Sequence, residues 1–201
     1  MRKIPAFTLA VLLMAGAALA ADDFKIDPAH SSVNFAVSHA MGMSTVVGRF
    51  TSFEGKISLD DKDISKSSVN VTIKTASINT DVANRDNDLR SPNYFDAEKF
   101  PEITFQSKSV EKTGNGYTAH GTLTIHGVSK DVDLPFEFKG PVEAGQGRGK
   151  VMGAHAWLTV NRVDYGVGKA TPMIGSDVKI DLYVEARMAA PAPPTPPGAS
   201  R

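Results

Sequence analysis

Five histidines, a run of aspartates and a glycine-rich loop are the residues of this 201-residue chain whose types and spacing could do chemistry. His120 and His126 share a parity with Thr122 and Thr124, so both fall on the wet face of one strand, too far apart to ligate a single metal ion. Asp60, Asp61 and Asp63 begin like a calcium loop, but counting from Asp61 places Lys66 where the turn glycine belongs and Thr72 where the bidentate glutamate belongs. That stretch is read as a solvated turn. The run GQGRGK, 145–150, is shaped like a phosphate loop, yet Val151 follows Lys150 where a hydroxyl is required and a strand comes next, so it is read as a flexible hairpin turn. No G-x-S-x-G elbow and no H-E-x-x-H helix occurs, and the absence of cysteine removes thiol nucleophiles, thiolate metal sites and disulfides. The inventory points to no enzyme, no metal and no cofactor. His39 differs from the other histidines because it shares the face of Val33, Phe35 and Val37. It is either a hydrogen-bonded rim residue or a polar fixing point at the mouth of a pocket.

The elements that must position these residues are mostly strands. In GTLTIHGVSKDVDLPFEF, 121–138, Leu123 and Ile125 alternate with polar neighbours, and after a short break Val132, Leu134, Phe136 and Phe138 do the same. A period of two on both sides of a turn predicts paired antiparallel strands with one buried face. The pattern recurs at Val69, Val71 and Ile73, at Ile103 and Phe105, at Tyr117 and Ala119, and at Val178, Ile180, Leu182 and Val184. Turn residues such as Gly114-Asn115-Gly116 join these runs, which indicates an antiparallel sheet closed into a barrel or a sandwich. Ala119 and Gly121 on the apolar face leave room in its interior. The exception is TDVANRDNDLRSPNYFDAEKF, 80–100, where Asp81 is placed to cap a short helix ending before Pro92. A long connection across a barrel mouth is a place for a lid or a gate.

Residues 1–20 put Arg2 and Lys3 before an uncharged apolar run ending in Ala18-Leu19-Ala20, the pattern of a cleavable signal peptide; the alternative is an uncleaved membrane anchor, since the run is nearly long enough to span a bilayer. Removing them takes the cations from 22 to 20 against 22 acidic residues, which gives no reason to expect nucleic acid or an anionic membrane as main partner. Residues 189–201, AAPAPPTPPGASR, are proline-rich and bury almost nothing, which predicts a disordered or polyproline tail. One domain remains, spanning 21–188.

Four stretches of that domain carry a resemblance: IDPAHSSVNFAVSHAMGMSTVVGRFTSFEGKISLD, ASINTDVANRDNDLRSPNYFDAEKFPEITFQS, GTLTIHGVSKDVDLPFEF and VNRVDYGVG. In this order and spacing the chain resembles the YceI family, exported lipocalin-like proteins of the periplasm described as polyisoprenoid-binding. The resemblance runs from about Phe24 to Ala186 and includes the pairs Arg85-Asp86 and Phe95-Asp96. One departure is Asn87-Asp88 before Leu89, where relatives often carry a histidine. It removes any histidine-based role from this segment.

The resemblance implies an all-β fold, an eight-stranded antiparallel lipocalin-like barrel with a short helical segment near its mouth, holding an isoprenoid lipid with a diphosphate or quinone head. The expected apolar lining is Val33, Phe35, Val37, Val69, Val71, Ile73, Ile103, Phe105, Leu123, Ile125, Phe136 and Phe138. His39, Arg49 and Arg85 are the candidates for the head group, since arginine can grip a phosphate by two hydrogen bonds. The expected protein is a periplasmic binder of isoprenoid lipid, touching a membrane transiently, with an edge or apolar mouth able to pair two copies. The competing expectation is a filled barrel that serves as a ligand-free structural or stress-related scaffold.

Overall fold

The computed structural model describes residues 21–114, 116–146 and 148–188. The readings of a leader at 1–20 and a tail at 189–201, like Asn115 and Gly147 of two turns, lie outside the described residues.

The two-residue periodicity is realised as strands β1 (Asp22–Ile26), β2 (Ser32–His39), β3 (Ser44–Phe50), β4 (Phe53–Leu59), β5 (Ser68–Lys74), β6 (Ile78–Asn79), β7 (Glu102–Thr113), β8 (Gly116–Ile125), β9 (Val128–Glu143), β10 (Lys150–Asn161) and β11 (Ile174–Arg187), with one helix, α1 (Ala83–Arg90). Every pairing is antiparallel, in the order β1-β4-β5-β7-β8-β9-β10-β11-β2-β3-β6 with β1 also joined to β11. The first six strands are three long staves, each broken once. β2 pairs with β3 above the level at which β1 pairs with β4, and β3 pairs with β6 above the level at which β4 pairs with β5. With β7 to β11 they make eight staves, and β11 closes the ring by pairing with β2 over much of its length and with β1 at Lys25↔Arg187 and Ile26↔Ala186. The first break falls at Asp27-Pro28, where proline has no N–H to give a ladder and the Asp27 carboxylate accepts from Ala29 N.

The two ends of this barrel differ. At one end Phe24, Leu59, Met152 and Ala186 pack into a dry floor, Phe24 and Ala186 at 0% exposure. At the other end lie the turn 40–43, the connection 80–101 with α1, and the connection 162–173. β7 begins opposite Lys74, so no strand flanks β6 on that side. Arg90, in the last turn of α1, donates to the otherwise unpaired carbonyls of Ala76 (2.7 Å) and Ile78 (2.6 Å), so the helix takes over the task of a neighbouring strand. Phe35, Phe50 and Phe95 form an aromatic chain, with centroids 5.8 and 6.0 Å apart, that ties the connection to the wall.

Asp81 does not cap α1. The N-cap position belongs to Val82, whose side chain has no hydrogen-bonding atom, while Asp81 sits at φ 61° and accepts nothing from the first turn. The buried Asp86 side chain instead reaches back from inside the helix to Thr80 N (2.8 Å) and Thr80 Oγ1 (2.6 Å). A turn at Asn79–Asp81, with Asn79 Oδ1 accepting from Asp81 N, has swung the Asp81 carboxylate away toward Arg49.

On the outer wall His120 lies between Asp133 (2.6 Å) and Glu111 (3.1 Å). Hydrogen bonding to Asp133 first, and to Glu111 second, favours the imidazolium and raises its pKa above the ordinary 6.5. The stabilisation from these pairs is therefore complete below pH 6.5 and disappears as pH rises through the elevated folded value. An NMR titration should place the His120 midpoint above 6.5, and Glu111→Gln should lower it; a midpoint that the substitution leaves in place would show that Glu111 contributes nothing.

Candidate functional site

The inward faces of the staves enclose a cavity of about 620 Å³ that reaches from Ile26, Leu59 and Met152 at the floor to His39, Arg85, Asp88 and Arg162 at the opposite end. This volume lies within the range of sites that enclose a small ligand, roughly 300–1,000 Å³. The twelve residues expected to line the interior all border it, joined by Leu158, Val178, Ile180 and Leu182 from the last two strands and by Leu89, Tyr94 and Phe95 from the connection 80–101. Phe35, Val37, Ile73, Leu158 and Leu182 point inward yet are only partly buried. Inward aliphatic groups in a filled barrel would be fully covered by one another, so their residual exposure is to an unfilled interior.

The room does not come from Gly121. A Cβ there would meet the Phe105 ring at 2.6 Å and the Gln106 carbonyl at 2.6 Å, so the glycine admits an aromatic side chain rather than leaving a void. Ala119 borders the cavity, as do Ala154 and Ala156 on β10. Tyr117, Phe136 and Phe138 gather in one part of the wall, with ring centroids 4.9 to 6.3 Å apart.

Polar atoms are concentrated at the mouth. His39 ends β2, and its Nδ1 lies 3.4 Å from Ser44 Oγ, a long contact. No carboxylate orients this imidazole in any ion pair among the described residues, so the pair lacks the third member of a nucleophilic triad. Arg85 donates from Nε to Thr80 Oγ1 (2.7 Å) and from one terminal nitrogen to Thr80 O (3.0 Å). Its other terminal nitrogen has no hydrogen-bond partner among the described residues. Arg49 is not brought to the cavity: it alternates with Gly48 and Phe50, so it stands on the outer face, where it lies 3.7 Å from Asp81.

Arg162, which sequence reasoning missed, borders the cavity and is 7% exposed. Its guanidinium donates to four carbonyls, those of Gly175 (2.9 Å), Val167 (2.8 Å), Lys169 (3.0 Å) and Ile174 (3.1 Å). It thereby gathers the connection 162–173 around one cation. No carboxylate is paired with it among the described residues, so its charge is spread over main-chain dipoles. Tyr165, buried beside it in the same connection, has its phenol pKa raised by desolvation and then by the nearby Asp164. The only hint in the sequence was an arginine inside VNRVDYGVG, with nothing to show which carbonyls it would collect.

A family profile described as "YceI-like domain" matches residues 24–186. A "UPF0312 protein" of Serratia proteamaculans is 39% identical over 182 residues, covering 88% of this chain and 91% of the relative. Among solved structures, the YceI protein of Campylobacter jejuni superposes with a TM-score of 0.67 at 33% identity, covering 72% of this chain and 86% of the other. A domain from Saccharophagus degradans, described as polyisoprenoid binding, superposes with a TM-score of 0.59 at 17% identity over 84% of this chain and 98% of that one. The last likeness shows the fold.

Proposed function

The chain belongs to the YceI-like family, and from that membership we propose that it is an exported, non-enzymatic binding protein that holds one isoprenoid lipid inside its barrel for carriage, storage or sequestration in the periplasm. The observation that carries the reading is the hollow, almost wholly apolar interior running from floor to mouth. An isoprenoid chain is a flexible hydrocarbon, and each of its methylenes removed from water contributes about 0.8 kcal/mol before the cost of ordering the chain. A protein that surrounds such a chain carries it through water without any chemical step. The polyisoprenoid binding described for the Saccharophagus domain of the same fold supports the ligand class.

The chain's tail would lie along Val33, Phe35, Val37, Val69, Val71, Ile73 and the other lining residues, with its head at the polar end. His39 and the free terminal nitrogen of Arg85 are the groups that would meet a phosphate or quinone oxygen there. Arg162, with four carbonyls already engaged, would act on an anionic head through its charge more than through direct bonds.

Mass spectrometry of the organic extract from protein purified without detergent tests the reading. The expected result is a single isoprenoid species near one per chain. A clean protein mass with nothing extracted, repeated after incubation with a polyprenol, a polyprenyl diphosphate and an isoprenoid quinone, would replace it with the ligand-free scaffold.

A further inference from the structure

Six of the nine large hydrophobic side chains that the described residues leave exposed lie at the mouth end of the barrel: Met41 (67%), Met43 (82%), Val47 (65%), Met173 (47%), Val82 (46%) and Val128 (37%). The turn between β2 and β3 projects Met41 and Met43, and Ala40 N donates to Met173 O (2.8 Å), which holds Met173 beside them. From Ser38 to Gly48 the chain contains no lysine, arginine, aspartate or glutamate.

The backbone of this turn is an independent sign that its side chains are there for more than folding. Ala40 (φ 52°), Met41 (φ 56°) and Gly42 (φ 87°) follow one another in the left-handed region, where only the glycine is free of the Cβ clash. Asparagine or glycine would make the same turn with less strain, so a methionine at position 41 costs the fold something that its thioether does not return within the chain.

The tip is also continuous with the cavity wall. His39, Val46 and Ile174 border the cavity; on the outside, Met173 directly precedes Ile174, while Met41 and Met43 lie on the turn between His39 and Val46. Apolar surface thus passes from the interior to the tip by way of Ile174 and Met173, alongside the polar His39, Ser44 and Thr45. A partner with a flat or charged surface would find nothing complementary on a narrow, uncharged, protruding turn. Flexible methionines on such a turn suit a medium that parts around them.

We propose that the 40–43 turn, with Met173 beside it, inserts into the surface of a lipid bilayer by apolar contact, so that the mouth opens directly onto the acyl region. This rests on the lipid-binding reading, because it describes how a chain that cannot cross water reaches the cavity. The tip has no charge, so docking depends neither on anionic lipid nor on low salt.

The test is flotation of the mature protein with vesicles of phosphatidylcholine and phosphatidylethanolamine that contain no isoprenoid, repeated with phosphatidylglycerol added and at high salt. Wild type should float under all these conditions, and Met41→Ser/Met43→Ser should float about tenfold less. Val142→Ser, at an exposed site (59%) on β9 toward the floor, should float like wild type. An unchanged thermal midpoint verifies that the serine variant is folded. Equal flotation of the double variant overturns the proposal, as does binding that requires anionic lipid and vanishes in salt. A wild type that ignores vesicles but sediments as a dimer dissolved by the two serines also overturns it, and assigns the tip to a second copy. The two readings fail separately: protein that yields an isoprenoid on extraction yet never floats loses only the docking, whereas protein that floats but never holds an isoprenoid loses the lipid-binding function.

Discussion

On the lipid-binding reading, Ala154→Trp should leave a folded barrel with roughly a hundredfold weaker hold on isoprenoid lipid. Ala154 is a small inward residue of β10, opposite Phe138 of β9 and Val184 of β11, and it borders the cavity without being fully buried. An indole there projects into space that the hydrocarbon chain would occupy. Displacing about four carbons at 0.8 kcal/mol each removes about 3 kcal/mol of binding, close to two powers of ten. The same substitution separates a hollow barrel from a filled one by its effect on stability. In a filled interior the extra ring forces its neighbours apart at a cost of about 1–3 kcal/mol, whereas in an open one the thermal midpoint stays level or rises. Titration with a fluorescent polyprenol analogue, alongside a melting curve, reads both quantities. Undiminished affinity in a folded variant would mean that the lipid does not lie in the cavity.

Phe24→Ala should destabilise the protein by about 3–5 kcal/mol. Phe24 is 0% exposed and packs with Leu59, Met152 and Ala186 in the floor. It also belongs to β1, a strand of five residues that is held on one side by β4 and on the other by only two register pairs to β11. Its ring is therefore the main apolar anchor of the strand that finishes the closure. A urea melt should show a midpoint lowered by a molar unit or more at a slope of about 1–3 kcal/mol/M. The exposed neighbour Lys25→Ala should shift it little. A loss under about 1 kcal/mol for Phe24→Ala would show that the barrel closes without its floor.

Strand parity made the interior legible from sequence. Val33, Phe35 and Val37, or Ile103 and Phe105, could be assigned to the inner face because a strand allows only two sides, and the cavity borders all of them. Arg49 is legible by the same rule: its charge makes it a head-group candidate, but Phe50 and Gly48 flank it and parity puts it outside. The misplaced cap had a different origin. Asp81 precedes α1 as a cap should, but the competing acceptor Asp86 lies inside the helix, and only the folded turn at Thr80 brings it within reach. Arg162 and Arg90 were out of reach altogether, because each satisfies carbonyls far along the chain and isolated arginines carry no periodic signal. Of the breaks within the first three staves, the one at Asp27-Pro28 carries a local mark in its proline, which has no N–H to give a ladder.

A dry void of 620 Å³, at about 24 cal/mol per Å³, would cost on the order of 15 kcal/mol, as much as an entire domain's net stability. An empty, waterless interior would consume a large share of the fold's net stability, which favours an interior occupied by solvent or a guest. On the lipid-binding reading the guest completes the core from outside, and the lipid-free form is the one that opens more often. Mass action then ties the protein's resistance to proteases to the ratio of lipid concentration to dissociation constant. On that reading, the amount of this protein that survives proteolysis becomes a record of how much lipid was there to be held.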